Sequence, residues 1–214
     1  MADLDFLPSP QATVVQEGRR DVALVFLGGS LVTGYGDPKG QGWVTRVVGR
    51  TQHPDLDLTA YNLGVRGASL TDVLDRWRTE VPARWEGRSE RRLVLSTGGS
   101  DIAAGISLAR HRLNLANILD DATSNGVGTF VVSPPPTLDT ALNAKISVLV
   151  EAQADVCARR SVPFVNCFEP LDGHEQWVGE LSAAPDGTHP GQAGYGLIAW
   201  LVLHNGWTSW LRIP

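Results

Sequence analysis

The stretch "LVFLGGSLVTGYG" (residues 24–36) begins as an unbroken apolar run and ends among glycines. A run of that length, without alternation, is the pattern of a strand buried on both faces. Ser30 stands where the strand runs out, after two glycines and before a segment able to enter a helix. At this point it is either a nucleophile or a small residue in a tight turn.

Four further β-leaning runs follow: "LDLTAYNLG" (56–64), "RLVLSTGG" (92–99), "GTFVVSPPP" (128–136) and "VPFVNCF" (162–168). Helical spacing fills the intervals. Trp43, Val47 and Val48 share a face over 42–52. Over 69–81, Leu70, Val73, Leu74 and Trp77 align behind a Ser69 cap. Longer helical patterns cover 107–126, which stops at Asn125-Gly126, then 139–160 and 191–206. Strands alternating with helices predict an α/β fold, a three-layer α/β/α sandwich around a five-stranded parallel sheet. Residues 1–20 read as a lead-in and 21–214 as a single domain.

The 214 residues suffice for one sizeable core, and 43% hydrophobic with 19% charged residues is ordinary for a globular chain. A net charge of -5 argues against a nucleic-acid partner, whose binders carry a basic face. The basic stretch 84–92 is interrupted by Glu86 and Glu90 and reads as a solvated loop. The longest apolar run, 197–203, is too short for a membrane span. The N-terminus lacks a secretory pattern, and the cytoplasm is the expected location. Cys157 and Cys167 read as reduced core thiols. No metal motif occurs, and "GYGDPKGQG" (34–42) fails both nucleotide-loop patterns: Lys39 replaces the third dinucleotide glycine, and GK[ST] is missing. No cofactor is expected, and the sequence assigns no oligomeric state.

Ligands of a doubly wound sheet sit at the carboxyl ends of its strands. There the sequence places Gly28-Gly29-Ser30, then Asn62 to Gly67, then Gly98-Gly99-Ser100-Asp101. Ser133 and three prolines follow the fourth strand as a rigid edge, and "PDGTHPGQAGYG" (185–196) leads into the last helix. A serine needs a base, and the base a carboxylate that fixes its tautomer. His53, His111 and His204 fall in or beside helical patterns away from that rim. His174, near Asp172, is one candidate base. His189 has the better setting, three residues after Asp186 and before Pro190.

In these motifs the chain resembles the SGNH or GDSL hydrolases, serine esterases and acylhydrolases on a flavodoxin-like sheet. GDS aligns with Gly28-Gly29-Ser30, with Gly34 following. The family's Asn and later Gly align with Asn62 and Gly67, GxND with Gly98 to Asp101, and DxxH with Asp186 to His189. The resemblance implies a small ester as substrate, Ser30 as nucleophile, His189 as general base and Asp186 as its orienting carboxylate. Backbone N–H groups of Ser30 and Gly67 would form the oxyanion hole, with Ser100 where the family carries Asn. Gly29 stands where the family has Asp, which implies a looser nucleophile turn. Ser100 implies a weakened hole and slow turnover. Asp101 reads as a cap or a buried hydrogen-bond partner.

Two other functions stay open on the sequence: an impaired relative that only binds its ligand, and a flavodoxin-like module for a small anion or nucleotide. Trp43 and Trp177 are candidate substrate-pocket walls, Trp77 and Trp200 candidate core residues. Trp207 and Trp210 would cover the sheet or an oligomer contact.

Overall fold

The computed structural model describes residues 18–214. Residues 1–17, most of the expected lead-in, lie outside the described residues, and Arg20 already belongs to the first strand.

The strands β1 (Arg20–Gly28), β2 (Leu56–Gly64), β3 (Glu90–Ser96), β4 (Gly128–Val132) and β5 (Phe164–Val165) form one parallel sheet in the order β2-β1-β3-β4-β5. This is the flavodoxin-like doubly wound order. The helices are α1 (Ser30–Thr33), α2 (Gly42–Arg50), α3 (Leu70–Glu80), α4 (Pro82–Trp85), α5 (Gly99–Ala103), α6 (Leu108–Ser124), α7 (Thr140–Ala158), α8 (Glu175–Ala183), α9 (Gln192–Val202) and α10 (Thr208–Leu211).

Strand β1 is why the stretch 24–36 decides the fold. Its side chains alternate between two cores. Leu24 and Phe26 pack with Trp43 and Val47 of α2 and Ile198 of α9. Ala23, Val25 and Leu27 pack with Leu70 and Trp77 of α3 and Leu115 and Ile118 of α6. Both faces are dry, so the strand shows no alternation of polar residues. Ser69 and Asp72 form the capping box that starts α3, and Asp139 caps α7.

Several expectations shift. The fourth strand stops at Val132 rather than 136, since three consecutive prolines offer no N–H to a ladder. The fifth is only two residues, Phe164–Val165. After it, Asn166 Oδ1 accepts the N–H groups of Phe168 and Glu169 and turns the chain. Trp200 is not core: it is 55% exposed and stacks on His204. Trp207 and Trp210 cover the sheet, packing on Phe130, and Trp207 also stacks on Phe26. Cys157 and Cys167 are free and buried, and burial pushes each thiol up to about 12. No helix among the described residues is long and apolar enough to cross a membrane.

Register places the chemistry. Gly28 pairs with Gly64 of β2 and with Ser96 of β3, so the three strands end level. The loops that follow them therefore share one rim.

Candidate active site

Ser30 opens α1, directly after Gly29. Its N–H, at the first position of a helix, has no intrahelical acceptor. The turn is held from several sides: Thr33 Oγ1 donates to Ser30 O at 2.6 Å, and Asn62 Nδ2 donates to Val32 O at 2.7 Å. Asn62 thereby ties the end of β2 to the Ser30 turn. Gly67, with φ +79°, takes a left-handed conformation that favours glycine. Its N–H donates to Ser30 Oγ at 3.0 Å.

Asp186 and His189 lie on the turn before α9. Asp186 Oδ2 meets His189 Nδ1 at 2.7 Å, while Oδ1 accepts the N–H groups of Thr188 and His189, each at 3.0 Å. Burial pushes the Asp186 carboxyl up, but the three bonds from His189 and Thr188 outweigh it and hold it at about 2. Tyr35 packs edge-on against the His189 ring with centroids 4.9 Å apart. Tyr35 is in turn fixed by Tyr195, whose hydroxyl donates to Tyr35 O at 2.6 Å.

Ser30, Gly67, Ser100 and His189 line a single cavity of about 420 Å³. The far wall is apolar, built from Pro134, Pro135 and Pro136 after β4 and from Leu142 and Ile146, one turn apart on α7. No Lys or Arg among the described residues belongs to the lining. Among the described residues, Ser30 and His189 form no direct hydrogen bond. Such contacts commonly tighten only when substrate is bound.

Other expectations are corrected. Trp43 and Trp177 do not line the cavity. Both are core residues, at 0% and 1% exposure. Trp43 packs edge-on against Phe26, and Trp177 Nε1 donates to Pro136 O at 3.0 Å, so it buttresses the cavity wall from behind. Closeness to Ser30 in sequence did not put Trp43 at the site, because α2 turns it onto the sheet. His174 is a helix cap: its Nδ1 accepts the Trp177 N–H at the start of α8. The triple-proline edge, expected to contribute only rigidity, supplies the wall. Leu142 and Ile146, an i, i+4 pair, open an apolar stripe on α7 that Leu149 and Val150 continue, and the spacing does not say what that stripe faces. His111, set aside by its helical pattern, is buried and bonded to Asp101 at 3.0 Å, directly behind the Ser100 loop.

A model of the GDSL-like lipase/acylhydrolase family matches residues 26–197. No curated protein matches the sequence. Among solved structures, the chain is similar to a catalytic mutant of Axe2, an acetylxylan esterase from Geobacillus stearothermophilus. That match has a TM-score of 0.73 at 18% identity, covering 88% of this chain and 94% of the other. It is also similar to LAE5, an alpha/beta hydrolase enzyme from the metagenome of Lake Arreo, Spain. There the TM-score is 0.72 at 20% identity, with 89% and 97% covered. At these identities the likeness is one of fold.

Proposed function

Since the chain belongs to the GDSL-like lipase/acylhydrolase family, a family of carboxylic ester hydrolases, we propose that it cleaves small acyl esters through an acyl-serine intermediate on Ser30. Ser30 Oγ attacks the ester carbonyl while His189 takes its proton. Asp186 accepts from His189 Nδ1, which leaves Nε2 as the base and stabilises the imidazolium that forms. The Gly67 N–H, now on Ser30 Oγ, and the Ser30 N–H are the donors for the developing oxyanion. His189 then protonates the departing alcohol, and a water activated by the same imidazole releases the acid. The reaction needs no group beyond these side chains and water.

The observation that carries this reading is the shared cavity: Ser30 bonded to Gly67 on one side, His189 bonded to Asp186 on the other. Turnover is slow in this proposal. Ser100 is shorter than the family's Asn, and a missing oxyanion donor costs roughly 10²–10³ in rate. With no Lys or Arg in its lining among the described residues, the cavity offers a nucleotide or small anion no permanent cation, which disfavours either as ligand. The unpaired buried cysteines favour a reducing compartment, and we place the protein in the cytoplasm.

The test is hydrolysis of a short-chain aryl ester by the protein and by Ser30→Ala. Ser30→Ala is expected to lose roughly 10³-fold or more. Equal rates would remove Ser30 from the chemistry. They would favour the second reading, an impaired relative that binds its ester without cleaving it. Ser100 and the unmade Ser30–His189 bond are the observations behind that second reading.

A further inference from the structure

Behind the third loop lies a second Asp–His pair that takes no part in the proposed reaction. Asp101, His111 and Gln153 are at 0%, 0% and 1% exposure. Asp101 Oδ1 meets His111 Nδ1 at 3.0 Å, and its Oδ2 accepts the Leu70 N–H at 3.1 Å. Gln153 Nε2 donates to Thr97 O at 3.0 Å and lies 3.1 Å from His111 Nε2.

The donors and acceptors fix one proton arrangement. The Thr97 carbonyl can only accept, so the Gln153 amide must present nitrogen to it. The second amide hydrogen then points at His111 Nε2, which must be an acceptor. The proton is on Nδ1, and a neutral His111 donates to Asp101.

Each end of this network grips a loop of the candidate site. Thr97 precedes Ser100 by three residues, and Asp101 follows it. Between them stand Gly98 and Gly99, which bring no side chain to hold the loop. Leu70 lies three residues beyond Gly67, at the first turn of α3. One carboxylate therefore joins the loop bearing Ser100 to the loop bearing the Gly67 N–H. Gln153 Oε1 remains buried without a partner among the described residues. Apolar side chains in place of Asp101 and Gln153 would leave the Leu70 N–H and the Thr97 carbonyl without these partners, so the network is what holds both loops at this spacing.

We propose that His111 is a positioning residue, which through Asp101 and Gln153 sets the separation of the two loops that supply the Gly67 N–H and Ser100 to the oxyanion. The proposal rests on the esterase reading for its kinetic consequence but not for its structural one. A displacement of about 1 Å at such donors costs on the order of 10²-fold in rate.

The experiment compares His111→Leu, His111→Asn and Gln153→Met with the unchanged protein. The readouts are kcat and KM on an aryl butyrate, the Ki of an aryl boronic acid that forms a tetrahedral adduct on Ser30, and amide exchange of residues 67–70 and 97–101. In His111→Leu, kcat is expected to fall about 10- to 100-fold with KM within about threefold, and the boronate to weaken in proportion. His111→Asn, which can still donate to Asp101, recovers most of the loss. Gln153→Met, which frees only Thr97 O, falls between. Exchange at both loops accelerates in His111→Leu.

Unchanged kcat and boronate affinity in His111→Leu would overturn the proposal, as would His111→Asn performing no better at equal thermal stability. If His111→Leu does not fold, Gln153→Met decides alone, and wild-type kcat in that variant overturns it. Should the unchanged protein show no Ser30-dependent hydrolysis, the esterase reading fails. Amide exchange still judges the network: unchanged protection at both loops refutes it, and acceleration supports it.

Discussion

A Cβ built on Gly29 lies 3.5 Å from Ser100 Oγ and only 2.9 Å from the Ala68 carbonyl. Gly29 and Ser100, the two positions at which the resemblance sets this chain apart from the family's motifs, therefore face one another. The resemblance implied that glycine loosens the turn, but Gly29 has φ −94°, which any residue adopts. Glycine is there for closeness. A side chain would press on Ala68, the neighbour of Gly67.

Restoring the family's Asp at this position alone should therefore harm the enzyme. Gly29→Asp and Gly29→Ala are each expected to lower kcat about tenfold or more while the protein remains folded. A rise in kcat for Gly29→Asp would show that Ala68 moves aside without cost.

Ser100→Asn is expected to act in the opposite direction. Ser100 lines the cavity together with Ser30 and Gly67, and an amide reaches farther than a hydroxyl. Turnover of an aryl ester should rise, by up to about 10² if the full donor is regained. A folded Ser100→Asn protein with no gain would mean that Gly67 and Ser30 already suffice.

The apolar wall sets the acyl group in this reading. Leu142 is half-buried at the wall, and Leu142→Trp should fill space now open beside Ser30. The ratio of octanoyl to acetyl ester kcat/KM is expected to fall about tenfold or more, as for other changes of a few methylenes in a pocket. An unchanged ratio would place the acyl group elsewhere.

The contrast between motifs and walls explains what the sequence could tell. Ser30, Gly67 and Ser100 each follow a strand, and the level strand ends bring them to one rim. Asp186 and His189 meet because three residues on a turn is a local distance. The walls depend on which distant segments converge, and nothing local marks Pro134 and Leu142 as neighbours of Ser30. Trp43 illustrates the converse. An aromatic near Ser30 in sequence and one buried against Phe26 look alike until α2 is oriented. His111 was hidden for the same reason, since a histidine within an apolar helix face gives no sign of the carboxylate opposite.

Asp186 also makes a prediction about acid stability. Its carboxyl is held at about 2, against about 3.9 for an unperturbed aspartate. The depressed value means that the folded state binds the proton less readily than the unfolded state. The contribution is complete above about pH 4, declines as pH falls, and is gone once pH passes below 2. Asp186→Asn removes this dependence, so its urea midpoint should fall less between pH 4.5 and 2.5 than that of the unchanged protein. The Asp186 side chain is 40% exposed, so water screens it and the difference should be roughly 1 kcal/mol or less. Asp37, Asp72, Glu90, Asp120 and Asp155 are also held low and supply the same acid loss in both proteins. The comparison therefore isolates Asp186. Parallel decline of the two midpoints would show that the bonds to His189 and Thr188 do not lower its carboxyl in solution.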